Sequence, residues 1–162
     1  MRYHNITKDD ILNGEGLRVT LWVSGCSHHC KGCHNKLTWD ADDGVIFDSN
    51  AEDELFAALN KSYISGITFS GGDPLYLGNR EEVTRLAKKV KETTDKNIWL
   101  YTGYTYEEIK DLEVMKYIDV LVDGKFIEDL KDNKLHWKGS SNQRVINVPA
   151  TRNKNEIVFE VS

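Results

Sequence analysis

The feature that most restricts the fold is an alternation: β-favouring runs that each halt at a glycine, with helix-patterned segments between them. Residues 17–24 lead into Gly25, 66–70 into Gly71-Gly72-Asp73-Pro74, 98–102 into Gly103, and 118–122 into Asp123-Gly124. Helical spacing places Leu55, Phe56 and Leu59 on one stripe of 50–60, and Val83, Leu86, Ala87 and Val90 on one stripe of 81–93. A shorter helix is predicted over 106–111. Strands alternating with helices argue for βα units around a parallel sheet, and right-handed crossovers turn successive units the same way. The units are too few to close an eightfold barrel, so the predicted fold is α/β, a partial (open) βα barrel. The length of 162 residues fits one domain over 1–162. Two further β-favouring runs, 144–148 and 157–161, occupy the tail. In barrel-like βα folds the loops that follow the strands share one face, and that face carries the chemistry.

One of those loops holds every cysteine of the chain, in the run Cys26-Ser27-His28-His29-Cys30-Lys31-Gly32-Cys33. An odd number of thiols crowded together is wrong for a disulfide framework and fits a reducing cytoplasm. Thiolates suit iron–sulfur clusters and zinc. Three of them without a fourth partner make either an incomplete structural site or an open catalytic one. On the zinc reading, His28, His29 or His34 completes a three-cysteine, one-histidine knuckle. Zinc modules usually bring paired hooks from two places in the chain, whereas these thiols come from one. That asymmetry favours a cluster with one iron left free, and Cys26, Cys30 and Cys33 are its predicted ligands.

Composition narrows the partners. A net charge of −5 leaves no basic stripe to neutralise phosphates, which argues against nucleic acid. The N-terminus has no apolar core of a secretory signal. No stretch approaches the roughly 18 apolar residues of a membrane span. The expected location is the cytoplasm.

Gly71-Gly72-Asp73-Pro74 admits two readings: a tight turn, since these are common turn residues, or a place where backbone meets ligand closely. The histidines read as solvated loop residues, with His28, His29 and His34 near enough to the thiols to tune a metal group through hydrogen bonds. Trp99, Tyr101 and Tyr104 read as core or mouth lining. Asp123, Lys125 and 140–143 face a ligand or partner, or merely end a strand. No paired carboxylate or Ser-His-Asp set stands out, so no catalytic acid, base or nucleophile is assigned.

Taken together, Cys-x3-Cys-x2-Cys after one strand and Gly-Gly-Asp-Pro after the next resemble the radical S-adenosylmethionine superfamily. Within it, the chain is most similar to the family of activating proteins of anaerobic (class III) ribonucleoside-triphosphate reductases. The residues that carry the likeness are Asn13-Gly14-Glu15-Gly16-Leu17-Arg18, Val23-Ser24-Gly25-Cys26, Cys33-His34-Asn35-Lys36 and Ser70-Gly71-Gly72-Asp73-Pro74-Leu75. They continue in Trp99-Leu100-Tyr101-Thr102-Gly103-Tyr104, Val120-Leu121-Val122-Asp123-Gly124-Lys125-Phe126 and Gly139-Ser140-Ser141-Asn142-Gln143. The likeness extends to about residue 149. Two positions depart from it: Glu15 stands where proline is common, and Gly32 where many relatives place an aromatic before the third cysteine.

The resemblance implies one [4Fe-4S] cluster on the three cysteines, with S-adenosylmethionine chelated to the free iron. Gly71 and Gly72 then support the methionine end, and the backbone from Gly32 through Cys33 to His34 meets the adenine. It further implies reductive cleavage to methionine and a 5′-deoxyadenosyl radical, which takes hydrogen from a glycine α-carbon of the large reductase subunit. With no further cysteines for a second cluster, the electron must come from outside, as the family implies from reduced flavodoxin or a similar donor. The rivals are the activase of pyruvate formate-lyase or a deazaguanine synthase, which keep the chemistry and change the target, and a zinc-binding interaction protein without catalysis.

Overall fold

The computed structural model describes residues 1–160. Its strands form one seven-stranded sheet with the order β3-β1-β2-β4-β5-β6-β7. These are β1 (Arg2–Asp10), β2 (Arg18–Val23), β3 (Val45–Ile46), β4 (Gly66–Gly71), β5 (Asn97–Tyr101), β6 (Val120–Asp123) and β7 (Arg144–Asn147). The four central strands β2, β4, β5 and β6 are parallel and lie in chain order. The flanking strands are antiparallel: β1 to β2, β3 to β1, and β7 to β6. The sheet ends at β3 and β7 and does not close into a barrel. The α/β expectation therefore holds, as a mixed sheet rather than a purely parallel one.

The helices follow their apolar stripes. Helix α1 (Ser49–Leu59) is capped by Asp48, whose carboxylate accepts from Ala51 N at 2.9 Å. Helix α2 (Arg80–Thr93) has Glu81 and Glu82 in its first turn and Lys91 in its last, matching the helix dipole. Helix α3 (Tyr106–Ile109) is one turn long and opens on a Thr105–Glu108 capping box. The buried stripes of α1 and α2 join Val19, Leu21, Val23, Ile67, Phe69, Ile98, Leu100 and Leu121 in one core. A sheet wound in a single direction puts its crossover helices on one face, and that shared core is the result. Among the described residues, no helix is long and apolar enough to cross a membrane.

Four elements differ from expectation, the two-residue strand β3 being the slightest of them. Strand β1 was not predicted, because Ile6 and Asp10 are its only buried residues and no period-two pattern is left to read. The run 144–148 stops early: Asn147 caps a helix, α4 (Val148–Lys154), by accepting from Ala150 N at 3.0 Å, with Pro149 in the first turn. The run 157–161 supplies a single bridge, Ile146 to Phe159, rather than a strand, and Val161 lies outside the described residues.

Candidate functional site

The loops after the parallel strands meet as the alternation predicts. Cys26, Cys30 and Cys33 line one small cavity of about 130 Å³, together with Gly71, Gly72, Thr102, Gly103 and Gly124. The members come from the loops following β2, β4, β5 and β6. A larger cavity of about 440 Å³ adjoins it and includes Asn13, Trp22, His34, Leu135 and Trp137. Cys33, Ser70, Tyr101, Phe126 and Gln143 border both. Of the sequence-predicted site residues, the three thiols and the glycine pair are brought together, and His34 lies in the neighbouring cavity. Gly32 lines neither; it turns the loop with φ +76°, and a Cβ there would come within 3.0 Å of Glu128.

The glycine pair has a reason distinct from ligand approach. A Cβ on Gly71 (φ +111°) would lie 2.5 Å from Val23 N and O, and one on Gly72 would lie 2.5 Å from Gly25 O and 2.6 Å from Thr38 O. These glycines let the end of β4 press against the base of the cysteine loop. Backbone bonds complete the junction: Gly72 N donates to Val23 O at 2.8 Å, Asp73 N to Gly25 O at 2.7 Å, and Gly25 N to Thr38 O at 2.6 Å.

Burial pushes the thiols of Cys26 and Cys30 up; backbone N–H groups of His28 and His29 oppose this at Cys26, and that of Phe126 at Cys30. Asn35 N donates to Cys33 Sγ at 3.4 Å. Among the described residues, no group of three or more His, Cys, Asp or Glu side chains is arranged to hold a metal ion.

The histidine expectation needs one correction. His29, which stacks on Trp39 with ring centres 4.6 Å apart, and His34 are exposed as expected. The side chain of His28 is only 7% exposed, with Nε2 2.7 Å from Asp73 Oδ2. The partner sits 45 positions away in the chain, so nothing near His28 announces it. Asp73 was read as a turn residue, yet it also accepts from Thr102 Oγ1 and Gly103 N.

The motifs at 123–126 and 139–143 turn out to hold each other. Gln143 Oε1 accepts from Gly139 N at 2.9 Å and Ser140 N at 3.1 Å, while its Nε2 donates to Gly124 O at 2.9 Å. Asn142 Nδ2 donates to Lys125 O at 2.8 Å, and the buried Ser140 hydroxyl accepts from Ile127 N at 3.2 Å. This clamp sets Phe126 and Gln143 into the wall of both cavities. Asp123 turns away from the mouth to bind Arg144 and Tyr106 N, and Lys125 lines neither cavity.

Tyr101 borders both cavities, and its phenol oxygen is buried with no protein hydrogen-bond partner among the described residues. Burial raises its pKa well above the usual phenol range.

Comparison with known proteins defines the class first. Residues 12–146 match the family described as a 4Fe-4S single cluster domain. The chain is 51% identical over 146 residues to the anaerobic ribonucleoside-triphosphate reductase-activating protein of Enterobacteria phage T4, covering 90% of this chain and 93% of that protein. The proteins of the same name from Vibrio cholerae and Escherichia coli K12 are 47% and 46% identical, with 88% and 90% of this chain and 96% and 97% of theirs aligned. The chain therefore belongs to the family of anaerobic ribonucleoside-triphosphate reductase-activating proteins, built on a 4Fe-4S single cluster domain.

Proposed function

We propose that this protein activates an anaerobic ribonucleoside-triphosphate reductase by raising a glycyl radical on its large subunit, as a radical S-adenosylmethionine activase. The carrying observation is that three thiols from one loop and the Gly71-Gly72 turn from the next line a single cavity at the strand ends. The donor set fits the group: three soft thiolates in one cavity suit an iron–sulfur cluster, and the Nε2 of His28, the histidine that lines the cavity with them, is already held by Asp73.

Cys26, Cys30 and Cys33 would hold a [4Fe-4S] cluster, leaving one iron for S-adenosylmethionine. When bound, the pair supplies one-electron cleavage to methionine and a 5′-deoxyadenosyl radical able to take a glycine α-hydrogen. The chain's own residues bind and enclose. Gly71 and Gly72 seat the methionine end beside the thiols. The larger cavity takes the nucleoside, with Cys33 and His34 on one side, the backbone at Gly32 leading into them, and Tyr101 in its wall. Val122, Phe126 and Trp39 supply the large apolar and aromatic part of the smaller cavity's wall, a surface that would limit water around a bound group. No side chain is assigned as acid, base or nucleophile.

The unreversed strand order β2-β4-β5-β6 supports reading the sheet as the open, partial barrel of that superfamily, with 1–162 as one domain. The electron would come from reduced flavodoxin or a similar donor in the cytoplasm, since the chain has cysteines for one cluster alone.

The test is anaerobic reconstitution with iron and sulfide, reduction with dithionite in the presence of S-adenosylmethionine, and assay of 5′-deoxyadenosine. The expected product depends on all three cysteines, and Cys30→Ala abolishes both cluster and product. Adding the reductase should then give a glycyl-radical EPR doublet. A colourless protein with stoichiometric zinc and no product would overturn the proposal.

A further inference from the structure

Asp73 is 1% exposed and its carboxylate gathers three loops. Oδ1 accepts from Leu75 N at 2.8 Å within its own turn and from Thr102 Oγ1 at 2.9 Å in the loop after β5. Oδ2 accepts from Gly103 N at 3.0 Å and lies 2.7 Å from His28 Nε2, in the middle of the cysteine loop. A carboxylate with donors on every side requires that Nε2 carry the hydrogen. The imidazole is further enclosed by the ring of Tyr104, edge-on at 4.6 Å. A Cβ on Gly103 would lie 2.5 Å from the His28 ring, so the ring itself explains why position 103 has no side chain.

We propose that His28 is a positioning residue for the three thiols: through Asp73, Gly103 and Tyr104 it latches the cysteine loop onto the turns after β4 and β5 before any cofactor arrives. The inference rests on the reading of those thiols as cluster ligands, while the latch is a property of the cofactor-free chain. Loop ends are tied by backbone bonds at Gly25 and Cys26, but His28 sits between the first and second thiols, where the loop would otherwise swing outward. A preordered ligand loop avoids paying the ordering entropy at assembly.

The test compares amide hydrogen exchange over 26–35 in the cofactor-free wild type, His28→Ala, His28→Gln and Gly103→Ala. His28→Ala is expected to speed exchange in that loop about tenfold while core strands keep their protection. His28→Gln retains an N–H near the Nε2 position and is expected to restore most of it. Gly103→Ala displaces the ring and should mimic His28→Ala, and the double variant should lose little more than either single one. After reconstitution, the reduction potential of His28→Ala should move positive as water reaches the thiolates, and His28→Gln should bring it back. Unchanged loop protection in both His28→Ala and Gly103→Ala would overturn the latch. Equal loss in His28→Ala and His28→Gln would overturn the role given to the Asp73 bond. A wild-type loop that is protected yet takes up no iron would instead sink the cluster reading and leave the latch standing.

Discussion

The two faces of the sheet are made by the same strands, one residue out of phase, and they differ chemically: one is wholly apolar, the other mixed. On the helix-covered face, Val19, Leu21, Ile67, Phe69, Ile98, Leu100 and Leu121 are aliphatic or aromatic and fully buried. On the other, the alternating positions are Arg18, Thr20, Trp22, Thr68, Ser70, Trp99 and Tyr101, with Val120 and Val122 of β6 clustered on Trp99. Arg18 is fully buried there without a carboxylate hydrogen-bond partner. Its guanidinium donates to Thr68 Oγ1 at 2.8 Å and to the carbonyls of Ile67 and Glu15, and lies over Trp99 at 5.4 Å. Burial pushes it down to about 10. One face is built for cohesion. The other keeps buried polar groups among its apolar ones, and Trp22, Ser70 and Tyr101 from it line the cavities at the thiol end.

The largest effect is expected where cohesion is concentrated. Phe69→Ala should lower unfolding free energy by about 3–5 kcal/mol in denaturant titration, while the variant that remains folded still takes up iron. Loss of iron uptake by a fully folded Phe69→Ala would break the division between the faces. Arg18→Leu comes next, at about 2–3 kcal/mol, because the acceptors of Ile67 and Glu15 lose their donor. An unchanged midpoint would show that the loop at 13–16 does not depend on the guanidinium.

Tyr101→Phe sharpens the contrast in the opposite direction. Its hydroxyl has no protein partner to lose, so stability of the cofactor-free chain should hold or rise by up to about 1 kcal/mol. If the hydroxyl serves the proposed S-adenosylmethionine site, binding there should weaken roughly 3- to 10-fold, measured by equilibrium titration of the reconstituted protein. A clear loss of stability would mean that the phenol belongs to the fold rather than to the ligand.

The smallest effect lies on the outer surface of the helices. Arg85 first, and Lys89 with it, hold the Glu52 carboxyl below the usual range against the opposing effect of burial. A depressed carboxyl pKa contributes stability that is complete above the unfolded value near about 4.3 and is lost as pH falls through the folded value. With Arg85 half exposed, the contribution should stay under about 1 kcal/mol. Glu52→Gln should therefore lower the stability plateau above that value by this small amount and flatten the acid end of the stability–pH curve.

The central strands and helices were legible because burial on one face writes a period into the chain. Predicted boundaries over 66–70 and 81–93 differ from β4 and α2 by a single residue. Strand β1 was not, since it pairs through backbone atoms and buries almost nothing. The gathering of the thiols with Gly71 and Gly72 followed from the rule that post-strand loops share a face. The grip of Asp73 on His28, and of Gln143 on Gly124, did not, because a hydrogen bond between distant loops leaves no local pattern in either.

By itself, the sequence determined the donor chemistry: three thiols from one loop, a glycine turn after the next strand, and the alternation that sends both to the same end of a sheet. Tertiary structure decided which side chains hold those loops in place. It enclosed the His28 imidazole against Asp73 instead of leaving it solvated, and left the buried Tyr101 hydroxyl without a protein partner. The division has a physical cause. Periodicity and thiol spacing are local properties that the chain carries in any conformation, whereas burial and hydrogen-bond partnership exist only after strands far apart in sequence have been packed side by side.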